Sequence, residues 1–250
     1  MSKLHHLLPA PLFTLQDAAT SGITRNQVVR GGTTRIALQV YALEGYSPPP
    51  EELLKLIHCT APQVVIGSVS AARLLGMRLP PRLQQDSTVY LLQGQSPTRV
   101  RRKGVRCSRA VLKPEEVFTV NGVPCTTHER TFFDLAQVLS YRELIAVADG
   151  LLVHHEHRAN QHVPIRTREQ LQKYLRKHPG KRRIKKCRYA VENAVTGSDS
   201  YMESLLRCIL QDAGVRGLEC NVPVYDDFWE SAFSTRPRPH RPKTQHPVRG

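Results

Sequence analysis

The sequence lacks the features that would place the protein in a membrane or send it out of the cell. Its apolar runs are short, such as VVIG at Val64–Gly67, whereas a helix that crosses a bilayer needs about 20 apolar residues. The amino terminus, MSKLHHLLPAPLF, combines one lysine with a broken apolar stretch, so no signal peptide is expected. We therefore expect a cytoplasmic protein without a membrane span.

The sequence also lacks close cysteine pairs. Its six cysteines are far apart and none forms a CxxC pair, which argues against a zinc knuckle. In a reducing compartment we expect free and mostly buried thiols. The histidine-rich stretch His154–His157, with His162 nearby, lacks the i, i+4 spacing of helical zinc sites, so a solvated loop is favoured over a metal site. We predict no metal and no cofactor.

Acidic residues are scarce relative to basic ones. The chain has 36 Lys and Arg against 21 Asp and Glu, a formal net charge of +15. Such a charge is typical of proteins that bind polyanions. The basic residues concentrate in Arg99–Arg109, in Arg166–Arg188 and in the tail beyond Thr235. The tail is interpreted as solvated, whereas the second segment fits a solvated face and a phosphate-binding surface equally. The predicted nonspecific phosphate contacts are Lys181, Arg182, Arg183, Lys185 and Lys186.

The distribution of residue types predicts an α/β (α+β) chain with several segments. A PPP break at Pro48–Pro50 follows the first unit, and the Pro- and Arg-rich end of the chain is predicted to be unfolded. The predicted segments are a winged helix-turn-helix domain (1–45), a mixed helix and strand domain (51–150), a basic helical connector (151–197), a short α/β segment (198–227) and a disordered basic tail (228–250). The α/β segment opens with SDSYMESLLRCILQDAG, which resembles the start of a restriction-endonuclease-like α/β domain, so it is interpreted as an incomplete fragment of one.

The first unit has the local signals of two short helices. Thr14 can cap a helix through LQDAATS, and Asp17 at its third position favours the positive helix end. Gly22 would end this helix, because glycine tolerates the left-handed conformation of a helix terminus. Thr24 can cap a second helix, RNQVVR, which stops at Gly31–Gly32. Two short helices joined by a tight turn predict a helix-turn-helix unit.

The second helix carries side chains that can recognise DNA bases. Arg matches guanine, and Asn or Gln matches adenine, since each offers paired donors or acceptors. Val28 and Val29 are predicted to point inward, and the stretch TTRIALQVYAL predicts a hairpin that serves as a wing. The alternative is an ordinary helical hairpin with a solvated polar face. The predicted base-reading residues are Arg25, Asn26, Gln27 and Arg30, and those that position the DNA backbone are Thr24, Thr34 and Arg35.

Two motifs in the middle of the chain predict further helices. In TTHERTFFDLAQ, Thr126 or Thr127 can cap a helix whose aromatic and aliphatic residues form an apolar stripe. Arg130 and Asp134 are four residues apart and can pair along that helix. The second motif, SVSAARLLGM, which begins at Ser68, predicts a helix that packs through its small residues and is ended by Gly76. No nucleophile–base pair accompanies these residues, so structural roles are favoured over catalytic ones.

The order of these motifs resembles the AbiEi-type (type IV) antitoxin and transcriptional regulator family of actinobacterial proteins. The segments VPCTTHERTFFDLA and SDSYMESLLRCILQDAG match especially closely, and the resemblance extends to about Tyr225. Many members end in a Vsr-like, PD-(D/E)xK-type nuclease domain. The resemblance implies a winged-helix protein that binds double-stranded DNA in its own promoter region, in some cases beside a nucleotidyltransferase toxin.

The nuclease-like part of this resemblance is incomplete. Glu203 occupies the position of the family's glutamate, but Asp226 and Asp227 come too early to be the next ligands. No carboxylate follows Glu230, and a metal-dependent nuclease needs several around its ion. We therefore predict no enzymatic activity and hypothesise that a frameshift or truncation removed the rest. A Vsr-like endonuclease and an inactive remnant stay as alternatives.

Overall fold

The computed structural model describes residues 6–8, 10–37, 39–61, 63–94, 104–152, 166–218 and 220. Within these residues the chain forms α-helices and two β-sheets, one with three strands and one with five. This confirms the predicted mixed α/β class. No helix in the described ranges is long and apolar enough to cross a membrane.

Strands and helices are interspersed up to Thr126, and the described elements after it are all helices. The strands are β1 (Leu12–Thr14), β2 (Thr33–Ala37), β3 (Val40–Leu43), β4 (Val64–Ile66), β5 (Val89–Gln93), β6 (Val105–Arg109), β7 (Val117–Val120) and β8 (Val123–Thr126). The helices are α1 (Leu15–Thr20), α2 (Arg25–Arg30), α3 (Pro50–Thr60), α4 (Ser68–Leu74), α5 (Pro81–Gln84), α6 (His128–Leu135), α7 (Tyr141–Leu151), α8 (Arg168–Arg176), α9 (Ile184–Asn193) and α10 (Tyr201–Asp212), with a 3-10 turn at Pro114–Glu116.

The three-stranded sheet has β3 at its centre, antiparallel to both β1 and β2. The β2–β3 hairpin was predicted, whereas β1 was not, because a three-residue strand is too short to show an alternating pattern. On one face, Phe13 of β1 and Tyr41 of β3 pack with Ala18, Ile23 and Val28 from the two short helices. This small core holds α1 and α2 against the sheet.

The opposite face of the same sheet belongs to the main core. Leu12, Val40 and Ala42 are almost fully buried there with side chains of α3. Successive side chains of a strand point to opposite faces, so β3 contributes Tyr41 to one core and Val40 and Ala42 to the other. The unit formed by β1, β2, β3, α1 and α2, here called the small unit, is therefore docked on the rest of the described chain.

The five-stranded sheet has the order β6-β5-β4-β8-β7 and is mixed. The β5–β6 and β4–β8 pairs are parallel, and the other two pairs are antiparallel. All five residues of β5 are buried, as expected of an inner strand covered on both faces. Helix α4 is tied to β5 because the Ser70 hydroxyl accepts a hydrogen bond from the Tyr90 amide at 2.8 Å.

Helices α8 and α9 lie on the same main core as the sheet. Leu171 and Leu175 of α8 and Ile184 and Cys187 of α9 are buried in it. The segment interpreted as a basic connector thus supplies core side chains as well as surface charge. The domain boundaries inferred from the sequence stay predictions.

Two ion pairs join α7 to α10. Asp149 and Arg207 form a buried pair at 2.9 Å, with side chains 0% and 4% exposed, and Asp149 also accepts a hydrogen bond from the Val195 amide at 2.7 Å. Arg142 and Asp212 form an exposed pair, with side chains 48% and 52% exposed. Helix α10, which lies in the segment interpreted as an incomplete α/β fragment (198–227), is thus packed on α7.

We expect the buried pair to contribute far more to stability than the exposed one. Arg207→Met should lower the free energy of unfolding by about 3–5 kcal/mol, because it leaves the Asp149 carboxylate buried without its counter-charge. Arg142→Met, the matched control on the same helix pair, should lower it by less than about 1 kcal/mol. Urea denaturation of both variants measures the difference, and equal losses would contradict this account of how α10 is held.

Candidate nucleic-acid interface

Helix α2 is held by a reciprocal cap at its start. The Thr24 hydroxyl accepts a hydrogen bond from the backbone N–H of Gln27 at 3.4 Å. The side-chain Oε1 of Gln27 in turn accepts hydrogen bonds from the backbone N–H and the hydroxyl of Thr24, both at 2.8 Å. This is a capping box, and it confirms the predicted helix start. Gln27 therefore uses its carbonyl oxygen within the helix and, in this conformation, cannot present the donor and acceptor pair that adenine needs.

Besides Gln27, which is also exposed, four side chains form one exposed face of α2. Arg25, Asn26, Val29 and Arg30 are all exposed, and their spacing places them along one side of the helix. Val28 is fully buried as predicted, but Val29 is 58% exposed, so its predicted inward orientation is wrong. Adjacent residues on a helix are about 100° apart, and a six-residue helix on a small core buries only a narrow stripe.

The β2–β3 hairpin lies directly after α2 and presents the other predicted residues. Thr34 and Arg35 are exposed on β2. Arg35 is the cross-strand partner of Tyr41, and its guanidinium carbon lies 5.8 Å from the centre of the Tyr41 ring. A cation over an aromatic face is attracted to it, which restricts where the Arg35 side chain points. The Thr33 hydroxyl, which donates to the Val28 carbonyl at 2.7 Å, ties the hairpin to α2.

The charge of this surface is positive. Residues 25–43 contain three arginines and no aspartate or glutamate. The nearest acid before this stretch is Asp17, whose carboxylate accepts hydrogen bonds from the Thr14 amide and hydroxyl at 2.8 Å in the cap of α1. Glu44 follows at the base of the hairpin. An exposed helix and hairpin with this charge can bind a polyanion such as DNA.

The basic residues at the start of α9 divide into two groups. Lys181, Arg182 and Lys185 are exposed, as a phosphate-binding surface requires. Arg183 is half-buried and has a left-handed backbone (φ 68°) immediately before the helix. These residues precede or begin a helix that is otherwise anchored in the core.

Lys186 is engaged within the protein and does not offer a free ammonium group to phosphate. Its Nζ donates to the carbonyl oxygens of Ala136 and Leu139 and lies 5.3 Å from the centre of the Tyr141 ring. Burial, together with the nearby Arg183 charge, lowers the pKa of Lys186. The predicted phosphate contact is therefore corrected: Lys186 holds α9 against the turn between α6 and α7.

A buried polar cluster, here called the Glu116 cluster, links the 3-10 turn, α6 and α8. Glu116 accepts hydrogen bonds from the Tyr174 hydroxyl at 2.5 Å and from Arg130 at 3.1 Å. Arg130 also pairs with Asp134 at 3.0 Å, which confirms the predicted i, i+4 pair. His178 Nε2 lies 3.4 Å from Glu116. Sequence reasoning missed Glu116, Tyr174 and His178 because only the fold brings them to Arg130.

The electrostatics of the Glu116 cluster fit a structural role. Burial raises the pKa of Asp134 to about 6, although Arg130 opposes the shift. Burial also acts to raise the pKa of Glu116, but hydrogen bonds from Tyr174 and the Lys113 amide bring it below its ordinary value. Buried charges that are paired and hydrogen-bonded fix the elements that carry them. The cluster therefore docks α8 on α6.

Glu203, which was matched to a nuclease glutamate only by sequence resemblance, is part of the cap of α10. Its carboxylate accepts hydrogen bonds from the Asp199 amide at 2.9 Å and the Ser200 hydroxyl at 3.0 Å. Asp226, Asp227 and the histidine-rich stretch lie outside the described residues. Among the residues that the structure describes, no group of three or more His, Cys, Asp and Glu could hold a metal ion.

The cysteines are free, as the sequence predicted. Four of the six are buried, Cys220 is intermediate and Cys59 is exposed. Burial raises the pKa of Cys125 and of Cys187 to about 12, so these two thiols stay protonated and unreactive at neutral pH.

The described residues define a mixed α/β protein in which two short helices joined by a tight turn precede a β-hairpin. No family model and no curated protein matches this chain. Among solved structures it is similar to the crystal structure of the RV2827C protein from Mycobacterium tuberculosis, with 13% identity, 88% of this chain and 85% of that chain covered, and a TM-score of 0.45. A likeness of this degree carries no argument about function.

His128, in the first turn of α6, is a fully buried histidine. Neither of its ring nitrogens has a hydrogen-bond partner among the described residues, and its ring lies 6.5 Å from that of Phe118. Burial, and then the charge of Arg166, lower the pKa of His128 to about 4, against a weaker effect of Glu129. The folded protein thus keeps this imidazole neutral at pH values where the unfolded chain protonates it.

We expect His128 to make folding sensitive to acid. Between about pH 6.5 and 4 the unfolded state binds a proton at this position that the folded state does not, so stability falls as the pH falls, by up to about 3 kcal/mol. His128→Phe should remove most of this dependence, whereas His6→Phe, at an exposed histidine, should not. Urea denaturation from pH 4.5 to 7.5 tests the prediction, and parallel profiles for wild type and His128→Phe would refute it.

Proposed function

We propose that this chain is a sequence-specific DNA-binding protein of the AbiEi-like antitoxin and transcriptional autoregulator type, acting on its own promoter region. The observation that supports the proposal is the exposed face of α2, where Arg25, Asn26 and Arg30 lie side by side next to the Arg35 hairpin. The family assignment rests on the sequence resemblance. A cytoplasmic location and a cognate nucleotidyltransferase toxin belong to the same proposal.

In this proposal α2 enters the major groove of the duplex. Arg25 and Arg30 can each donate two hydrogen bonds to a guanine, and Asn26 can pair with an adenine in the same way. Each such pair contributes about 1–3 kcal/mol of discrimination against a wrong base. Thr24 and Gln27 hold the helix in shape through their reciprocal cap.

The hairpin and the start of α9 provide contacts that do not depend on sequence. In this proposal Thr34 and Arg35 contact the sugar-phosphate backbone, and such contacts set the orientation of a protein on DNA. Lys181, Arg182 and Lys185 add positive charge elsewhere on the exposed surface. Neutralising phosphates releases counterions, so this part of the affinity should fall steeply with salt.

The proposal also holds that the chain is not an enzyme. Glu203 is bound in a helix cap. A carboxylate held in this way would have to leave the cap before it could bind a divalent ion. A Vsr-like nuclease therefore has less support than a DNA-binding regulator.

The test is a comparison of variants on a specific and a scrambled duplex. Arg25→Ala and Asn26→Ala should each weaken binding to the specific upstream DNA by about 5- to 150-fold, because each loses one paired contact to a base. Binding to the scrambled duplex should change little. Fluorescence anisotropy at one fixed salt concentration measures both affinities.

The matched control replaces charge on α9 and leaves α2 intact. Lys181→Ala combined with Lys185→Ala should weaken binding to both duplexes equally and reduce the salt slope by up to about 2, since each phosphate contact contributes about 0.9. If the Arg25→Ala, Asn26→Ala double variant binds the specific duplex as tightly as wild type, the proposed interface is wrong.

A further inference from the structure

Val29 stands out on the exposed face of α2. It is 58% exposed, while its neighbour Val28 is fully buried and holds the helix on the small core. A single exposed valine is common on protein surfaces, so its exposure alone decides nothing. Its position is more informative about what it contacts, because Val29 lies one helical turn after Arg25 and directly before Arg30.

The side chains around Val29 indicate what it would contact. Residues four and three apart are neighbours on a helix surface, so Arg25 and Asn26 flank Val29 on the side towards the start of the helix. Arg30 adds a second positive charge beyond it. A hydrophobic protein partner would have to bury these charges along with the valine, whereas a DNA duplex needs them. The charge therefore favours DNA as the occupant of this face.

The major groove offers one apolar group that a valine can recognise. Thymine presents its 5-methyl group there, next to the donors and acceptors that polar side chains bind, and small apolar side chains contact it. We infer that Val29 contacts the 5-methyl group of a thymine in the recognised site, and so contributes specificity between the bases read by Arg25, Asn26 and Arg30. This inference rests on the proposed function.

The experiment removes the methyl group from the DNA and the isopropyl group from the protein. A duplex site is first selected from a random library with the full-length wild-type chain. Each thymine of that site is then replaced in turn by deoxyuridine, which lacks only the 5-methyl group. Wild type should lose about fourfold in affinity at one or two positions, the effect expected for one buried methyl group. Fluorescence anisotropy measures every duplex at one salt concentration.

The variant Val29→Ala should lose a similar amount on the thymine duplex and should no longer respond to deoxyuridine at those positions. This loss of response is the coupling that a double-mutant cycle measures. Val111→Ala is the matched control, because Val111 is 72% exposed and lies outside the small unit; it should bind and respond like wild type. Because Val29 is exposed, its replacement should leave the thermal unfolding midpoint nearly unchanged, which circular dichroism checks.

The outcomes separate this inference from the function on which it rests. If a site is selected but deoxyuridine has no effect, or if Val29→Ala keeps the full response, the inference is overturned and the DNA-binding proposal stands. If no site is enriched and wild type binds scrambled DNA as tightly as the upstream DNA, both the inference and the DNA-binding proposal are overturned. A response lost only in Val29→Ala supports both.

Discussion

The alternation of side chains along β3 determines where the candidate interface lies. Tyr41 faces the two short helices and completes their core, while Val40 and Ala42 face the main core on the other side. Because one strand serves both cores, α1 and α2 are fixed relative to the larger sheet, and the polar face of α2 is left outward. A shift of one residue in this strand would exchange the two faces and separate the helix pair from its support.

Local signals in the sequence were sufficient to predict the ends of the short helices. Thr14 and Thr24 each stand three residues before a side chain that completes the cap, and such reciprocal caps depend only on neighbouring residues. The Arg130–Asp134 pair was predictable for the same reason. Three-residue strands and contacts between distant segments were not, which is why β1 and the Glu116 cluster appear only in the structure.

Two expectations that the structure does not support, at Val29 and Lys186, have a common cause. Both residues were assigned from their type, a valine to the core and a lysine to the surface, yet tertiary contacts place the valine outside and engage the lysine with carbonyl oxygens. Lysine can do this because its apolar stem packs while its ammonium group reaches a partner. Basic composition therefore overstates the charge available at α9, whereas the charge around α2 is exposed as its sequence suggests.

The most direct test of the central claim, that the α2 face recognises a DNA sequence, is the affinity of the wild-type chain for two duplexes over a salt series. One duplex is the DNA upstream of its own gene and the other is a scrambled sequence of equal length and composition. The account predicts a preference for the native duplex that persists as rising salt weakens both complexes. Equal affinities with equally steep salt dependence would mean that surface charge alone binds DNA, and would contradict it.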